Sequence, residues 1–261
     1  MVEITGGSDE PETHKKGIAS VEAAARLLQV VEANPEPMTL KEIAEAVGYS
    51  TSKAHHYLVS LTRCGLLDRE RGGMRYTLGS FALRLGLSAL GRSGTANFVS
   101  NTLYELREEI GHSTAYAVWS ERGPLVTHFE EAKFGIGVSM RLGTVLPLVN
   151  SPTSAVFIAW LPESELKPVL SQLPADVMPI KEIVKIRERT RRDGGAHAAG
   201  VRNPRVAGAA VPVFGPSNRL EGAIATIGFI GQFDDSASGD VFAALRRHAA
   251  SLSKILGQRS G

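Results

Sequence analysis

Cys64 is the only cysteine in this chain of 261 residues, so no disulfide framework holds it together. No uncharged apolar stretch approaches the roughly 18 residues of a membrane span. Met1 to Glu12 is acidic and polar and lacks the basic and apolar blocks of a secretory signal. These absences predict a cytoplasmic protein with no membrane partner, and Cys64 is expected to be a small core residue. Catalytic fingerprints are missing as well. There is no G-x-S-x-G elbow, no G-x-x-x-x-G-K-[ST] loop, no dinucleotide glycine pattern and no H-E-x-x-H. His112, His128, His197 and His248, with Ser113, Ser151 and Ser154, allow a hydrolase triad only on paper. A hydrolase-like enzyme on the C-terminal part is therefore the alternative reading, and no catalytic activity is the expectation. His55 and His56 lack a partner at i+4 that would complete a metal site, so neither metal nor cofactor is expected.

What is present begins with length. The chain exceeds one typical domain and suits two. Its formal charge of +2 hides an uneven distribution: residues 1–14 carry four acids and no Lys or Arg, whereas residues 47–93 carry seven bases against two acids. The positive excess falls on a recognisable pattern. Thr39 can cap a helix in which Leu40, Ile43, Ala44 and Val47 share one face, and Gly48 stops it. Ser50 or Thr51 can then cap a second helix whose Ala54, Leu58 and Leu61 face inward. Ser52, Lys53, His55, His56 and Arg63 are left outward, suited to base edges and phosphates. Leu66 to Leu78 reads as two extended runs around Gly72-Gly73, with Arg71 and Arg75 flanking the tip. Helix, turn, helix and basic hairpin make a winged helix-turn-helix, completed by an earlier helix, Lys15 to Ala33, with Ile18, Val21, Ala25 and Leu28 along one stripe. The helix Phe81 to Leu90 is apolar nearly all round, which predicts burial against a second copy.

Past Gly91 to Gly94 a second domain is expected, with a helix from Thr95 to Ile110 and strands at 113–119, 125–130 and 135–141. Three further helices are read at 152–160, 163–171 and 181–192, then strands at 207–214 and 220–230 and a last helix at 239–257. Helices around an antiparallel sheet make this an α+β sensor domain. The domains are read as an acidic tail at 1–14, the winged domain at 15–79, a linker helix at 80–94 and the sensor at 95–261.

The stretches 40–48, 50–61, Arg75 to Gly79, Leu142-Gly143 before Pro147-Leu148, Ile158 to Pro162 and Ala209 to Phe214 resemble, in order and spacing, those of the IclR (isocitrate lyase regulator) family from about Gly17 onward. The resemblance implies a transcriptional regulator, more often a repressor: a winged helix-turn-helix, a linker helix and a GAF-like domain binding a small effector. Dimers, or dimers of dimers, would sit on palindromic double-stranded operators. It implies an organic acid or aromatic catabolite as effector. Three departures matter. Ser154-Ala155 stands where the family usually has Gly-Lys, and Thr226-Ile227-Gly228 where it has Ser-x-Ser. No acid precedes the Val-Pro strand in Gly200 to Arg205, so the pocket is less polar than the norm, and Arg141, Arg202 and Arg205 are the candidate cations.

On this reading DNA is contacted by Ser50, Thr51, Ser52, Lys53, His55, His56, Arg63, Arg71 and Arg75. Small or weakly polar residues next to sheet edges place the effector near Met140, Gly143, Leu146, Ser151, Ser154 and Ala155 on one side. Arg205, Gly208, Ala210, Thr226 and Gly228 lie on the other. The same glycines and alanines would also serve close helix-on-sheet packing without a cavity.

Overall fold

The computed structural model describes residues 17–70, 73–92, 95–133, 140–174, 177–200, 203–231 and 238–257, and separates into two units at the 93/94 junction. The first holds α1 (Ala19–Ala33), β1 (Met38–Thr39), α2 (Leu40–Val47), α3 (Thr51–Arg63), β2 (Leu67–Arg69), β3 (Arg75–Leu78) and α4 (Ser80–Arg92). Local chemistry starts and stops its helices. The Thr39 hydroxyl accepts from the Glu42 amide, and the Glu42 carboxylate accepts from the Thr39 amide at 2.7 Å, a reciprocal cap. Those bonds from Thr39, amide first and hydroxyl second, hold the Glu42 carboxyl below its usual range, with Arg75 adding a smaller pull. Gly48 closes α2 at φ 69°, where only glycine sits without penalty. Ser50 rather than Thr51 caps α3, its hydroxyl accepting from the Lys53 amide.

Leu27, Val31, Ile43, Ala44, Leu58, Leu61, Leu67 and Tyr76 form the core of this unit. Two expectations are corrected here. The buried face of α1 is Ala23, Leu27 and Val31, while Ile18 and Val21 are 67% and 63% exposed and Ala25 also faces solvent. Helix α1 carries two apolar stripes, and its own core covers only one. Cys64 is exposed, because as the C-cap of α3 it lies past the last buried turn.

The wing is a three-stranded antiparallel sheet in the order β1-β3-β2, pairing Met38 with Tyr76 and Leu67 with Leu78. At its exit Gly79 donates to the Leu66 carbonyl, and a Cβ there would sit 2.8 Å from the Leu67 carbonyl oxygen and nearer still to that of Gly65. Gly79→Ala is therefore expected to destabilise the winged unit by about 1–3 kcal/mol through forced backbone shifts. A thermal melt of the variant matching that of the parent would contradict this.

The second unit comprises α5 (Ala96–Ile110), β4 (Ser113–Ser120), β5 (Gly123–Glu130), α6 (Pro152–Trp160), α7 (Glu163–Leu170), α8 (Ile180–Asp193), β6 (Ala196–Ala199), β7 (Val206–Phe214), β8 (Leu220–Phe229) and α9 (Asp240–Ile255). Its antiparallel sheet runs β5-β4-β8-β7-β6. Side chains alternate across it. Tyr116, Ala209, Val211, Val213 and Ile224 face α5 and α9, which supply Leu103, Leu106, Phe242 and Leu245. On the other face Ala117, Ala210 and Ala223 pack beneath Val156, Phe157 and Ile158 of α6. Arg187 and Arg191 of α8 donate to the carbonyls of Ile158 and Ala159, satisfying the end of α6 that would otherwise be left unpaired. Ile183, Ile186 and Thr190 turn inward on α8, as their spacing predicts. The predicted strand at 135–141 falls largely outside the described residues, and Val145 bridges Leu125 instead. No helix among the described residues is long and apolar enough to cross a membrane.

Candidate nucleic-acid interface and effector cavity

Burial of Ala54, Leu58 and Leu61 fixes the rotation of α3, and the helical period then sets Ser52, Lys53, His55, His56 and Arg63 on its exposed side. The residue missed from sequence is Tyr49, in the turn before α3. Its hydroxyl lies 2.8 Å from the Arg26 guanidinium, and the Lys53 ammonium sits 3.8 Å over its ring. Arg75 is placed differently from expectation. It pairs with Thr39 in the sheet, donates to the Pro37 carbonyl at 2.7 Å and lies 3.6 Å from Glu42, so it braces β1 and the start of α2 rather than standing free at the wing tip. Across the tip, Arg69 donates to the Gly73 carbonyl. Arg71 lies outside the described residues.

In the second unit a cavity of about 380 Å³ opens between the sheet and the start of α6. Its floor follows from register. Ala115 of β4 pairs with Ala225 of β8, and one rung on Ile227 pairs with Gly208 of β7, itself opposite Ala198 of β6. Small residues on neighbouring strands leave the volume that larger ones would fill. Leu146, Pro147 and Pro152 roof it, and Asn150, Ser151, Thr153 and Asn203 bring polar groups to its wall.

Of the predicted effector residues, Met140, Leu146, Ser151, Gly208 and Thr226 line this cavity. Thr226 does so on a strand whose alternation sends its side chain toward α5 and α9, where the hydroxyl donates to the Ser113 carbonyl at 2.9 Å. The others are spent elsewhere. Ser154 is fully buried with its hydroxyl on the Pro147 carbonyl, Ala155 lies one residue further into α6, and Ala210 is covered by α6. Gly143 occupies a left-handed turn position on the exposed loop beside β5, and Gly228 pairs with Ala207. Arg141 and Arg205 are not among the lining residues, and Arg202 lies outside the described ones. Asn150, Thr153 and Asn203 are polar lining residues absent from the predicted set. Asn150 sits at φ 60°, and Asn203 accepts from the Arg205 amide in a local turn, both loop features with no periodic signal.

The serines of the paper triad are also committed. Ser113 accepts from the Ala132 amide, Ser151 caps α6, and His248 is bonded to Glu109 while the ring of His197 packs edge-on to Phe242. Among the described residues no cluster of His, Cys, Asp and Glu could hold a metal ion.

A winged helix-turn-helix joined to a cavity-bearing α+β unit defines a class of regulator, and comparison with known proteins agrees. Residues 20–71 match the IclR helix-turn-helix domain and residues 88–254 the bacterial transcriptional regulator IclR C-terminal domain. The chain belongs to the IclR family of transcriptional regulators, which are DNA-binding proteins and not enzymes. It is 25% identical over 246 residues to the HTH-type transcriptional regulator XynR of Escherichia coli, covering 92% of this chain and 98% of that one. The crystal structure of Pseudomonas aeruginosa HmgR matches with a TM-score of 0.74 and 29% identity over 92% of this chain and all of that one. An IclR homologue from Microbacterium hydrocarbonoxydans, solved in complex with 4-hydroxybenzoate, shares the fold with a TM-score of 0.72 at 17% identity, covering 91% of this chain and 98% of that one.

Proposed function

We propose that the chain is a repressor that reads a palindromic operator as a dimer, or a dimer of dimers, and releases it when a small organic acid or aromatic catabolite fills the cavity of the second unit. In this reading residues 15–79 are the DNA-reading domain, 80–94 the linker and 95–261 the sensor. The observation that carries it is the cavity itself. A volume near 380 Å³, mostly apolar with a few polar groups, has room for a single-ring molecule with polar substituents. The neighbour with 4-hydroxybenzoate shows a fold of this kind holding such a ligand. Ser52, Lys53, His55 and His56 are assigned to base edges and adjacent phosphates, with Ser50 and Thr51 at the N-terminus of α3 and Arg63 at its far end contacting the DNA backbone.

Selection by the full chain from a random duplex library tests the DNA half of the proposal. The recovered sequences are expected to be inverted repeats with half-site centres about one helical turn, ~34 Å, or a multiple apart. His56→Ala is expected to relax base preference at one symmetric pair of positions by ~1–3 kcal/mol while leaving binding to unselected DNA unchanged. A selected pool with no shared sequence would overturn it.

A further inference from the structure

Arg26 and Lys53 come from different helices, yet both converge on Tyr49. Arg26 projects from α1 and reaches across 23 residues of sequence to the phenol oxygen, while Lys53, in the first turn of α3, lays its ammonium on the ring face. Tyr49 in turn leans on Tyr57, ring centroids 6.3 Å apart, so the platform is anchored from below by α3 itself. Both cations are exposed, and no carboxylate among the described residues forms an ion pair with either. Holding two like charges at one aromatic ring, beside the positive end of a helix, works against the free protein. An arriving anion relieves that repulsion, while the ring face and the hydroxyl hold the two cations in place beforehand. The pair lies on the exposed side of the α2-α3 turn, beside the N-terminus of α3, where a DNA backbone would pass if α3 entered a groove.

We infer that Tyr49 is a positioning residue that presets Arg26 and Lys53 as a two-pronged clamp for DNA phosphates at the edge of the groove that α3 enters. The ring supplies the face on which Lys53 rests, a cation–π contact, and the hydroxyl fixes the direction of the Arg26 fork. Preset cations lose less side-chain freedom on binding than free ones. The clamp contacts backbone and not bases, so it acts on every sequence alike. This inference rests on α3 being the DNA-facing helix.

The test uses the full chain and a mixed-sequence duplex of ~30 base pairs, with dissociation constants measured across a salt series. Arg26→Gln and Lys53→Gln are each expected to reduce the slope of log affinity against log salt by about 0.9, the signature of one lost phosphate contact. Tyr49→Phe keeps the ring and loses the hydroxyl, so it should weaken binding three- to tenfold through Arg26 alone and have no effect in the Arg26→Gln background. Tyr49→Leu should lower affinity further, and that loss should vanish when both cations are already replaced. A merely structural tyrosine would keep its effect in that background. Wild-type affinity and slope in Tyr49→Phe and in both glutamine variants would overturn the clamp. Absence of any salt-dependent binding by the parent protein would instead overturn the DNA-facing assignment of α3.

Discussion

Leu83→Lys together with Leu87→Lys is expected to release folded monomers and to lower operator affinity by about 10²–10⁴-fold, the avidity lost when two reading heads no longer act together. The two leucines lie four residues apart on α4, 64% and 59% exposed, with Leu85 and Leu90 also uncovered. Their replacement therefore leaves the core of the winged unit untouched. A helix with leucine on several faces that no described residue covers needs a second surface, and the commonest solution is a twofold pair using the same patch twice. The exposed stripe of α1, Ile18 and Val21, adds apolar area in the same unit. Sedimentation would show the monomer, circular dichroism would show retained helix, and binding to the selected operator would show the loss. Operator affinity unchanged in the double variant would rule out α4 as the surface of the proposed dimer.

Gly208→Leu is expected to abolish effector binding and response while basal operator affinity stays within a few-fold. A Cβ at Gly208 would lie 3.9 Å from Pro152 and 3.2 Å from the Thr226 carbonyl oxygen, so the first carbon fits with a small adjustment and the rest of the leucine enters the cavity. Ala225→Leu, from the neighbouring strand and on the same floor, provides a second plug should the first perturb β7. Thr226→Val should leave the response unchanged, because that side chain bonds to Ser113 on the opposite face. Calorimetry with 4-hydroxybenzoate and related single-ring acids reads the binding. Undiminished ligand heat in both leucine variants would place the site elsewhere.

The parts of the fold legible in sequence are those built from contacts within one turn of chain. Thr39 and Glu42, Gly48 and Ser50 mark helix ends through bonds to residues three to five positions away, and the helices they bound lie where the residues indicate. The face of α1 was not legible, because Ile18 and Val21 are as apolar as Leu27 and Val31, and which stripe is buried depends on where α2 and α3 pack. Strand β6, Ala196–Ala199, has no β-branched or aromatic residue and is a strand only because β7 pairs with it. Gly208 and Ala210 are both small and lie on one face of one strand. The first opens to the void and the second lies under α6, a distinction set by where α6 begins. Tyr49 escaped for a related reason. Its importance comes from Arg26, a residue no local pattern connects to it.

If occupancy of the cavity is coupled to DNA affinity, one titration reads the coupling directly. Dissociation constants of the full chain for its selected operator are measured at increasing concentrations of each single-ring acid that the calorimetry detects. A coupling of ~1–3 kcal/mol predicts a weakening of ~5–150-fold that sets in near the calorimetric dissociation constant, levels off at ligand concentrations above it by about the same factor and disappears in Gly208→Leu. An operator affinity that stays constant from no ligand to saturation would contradict the account, however tightly the ligand binds.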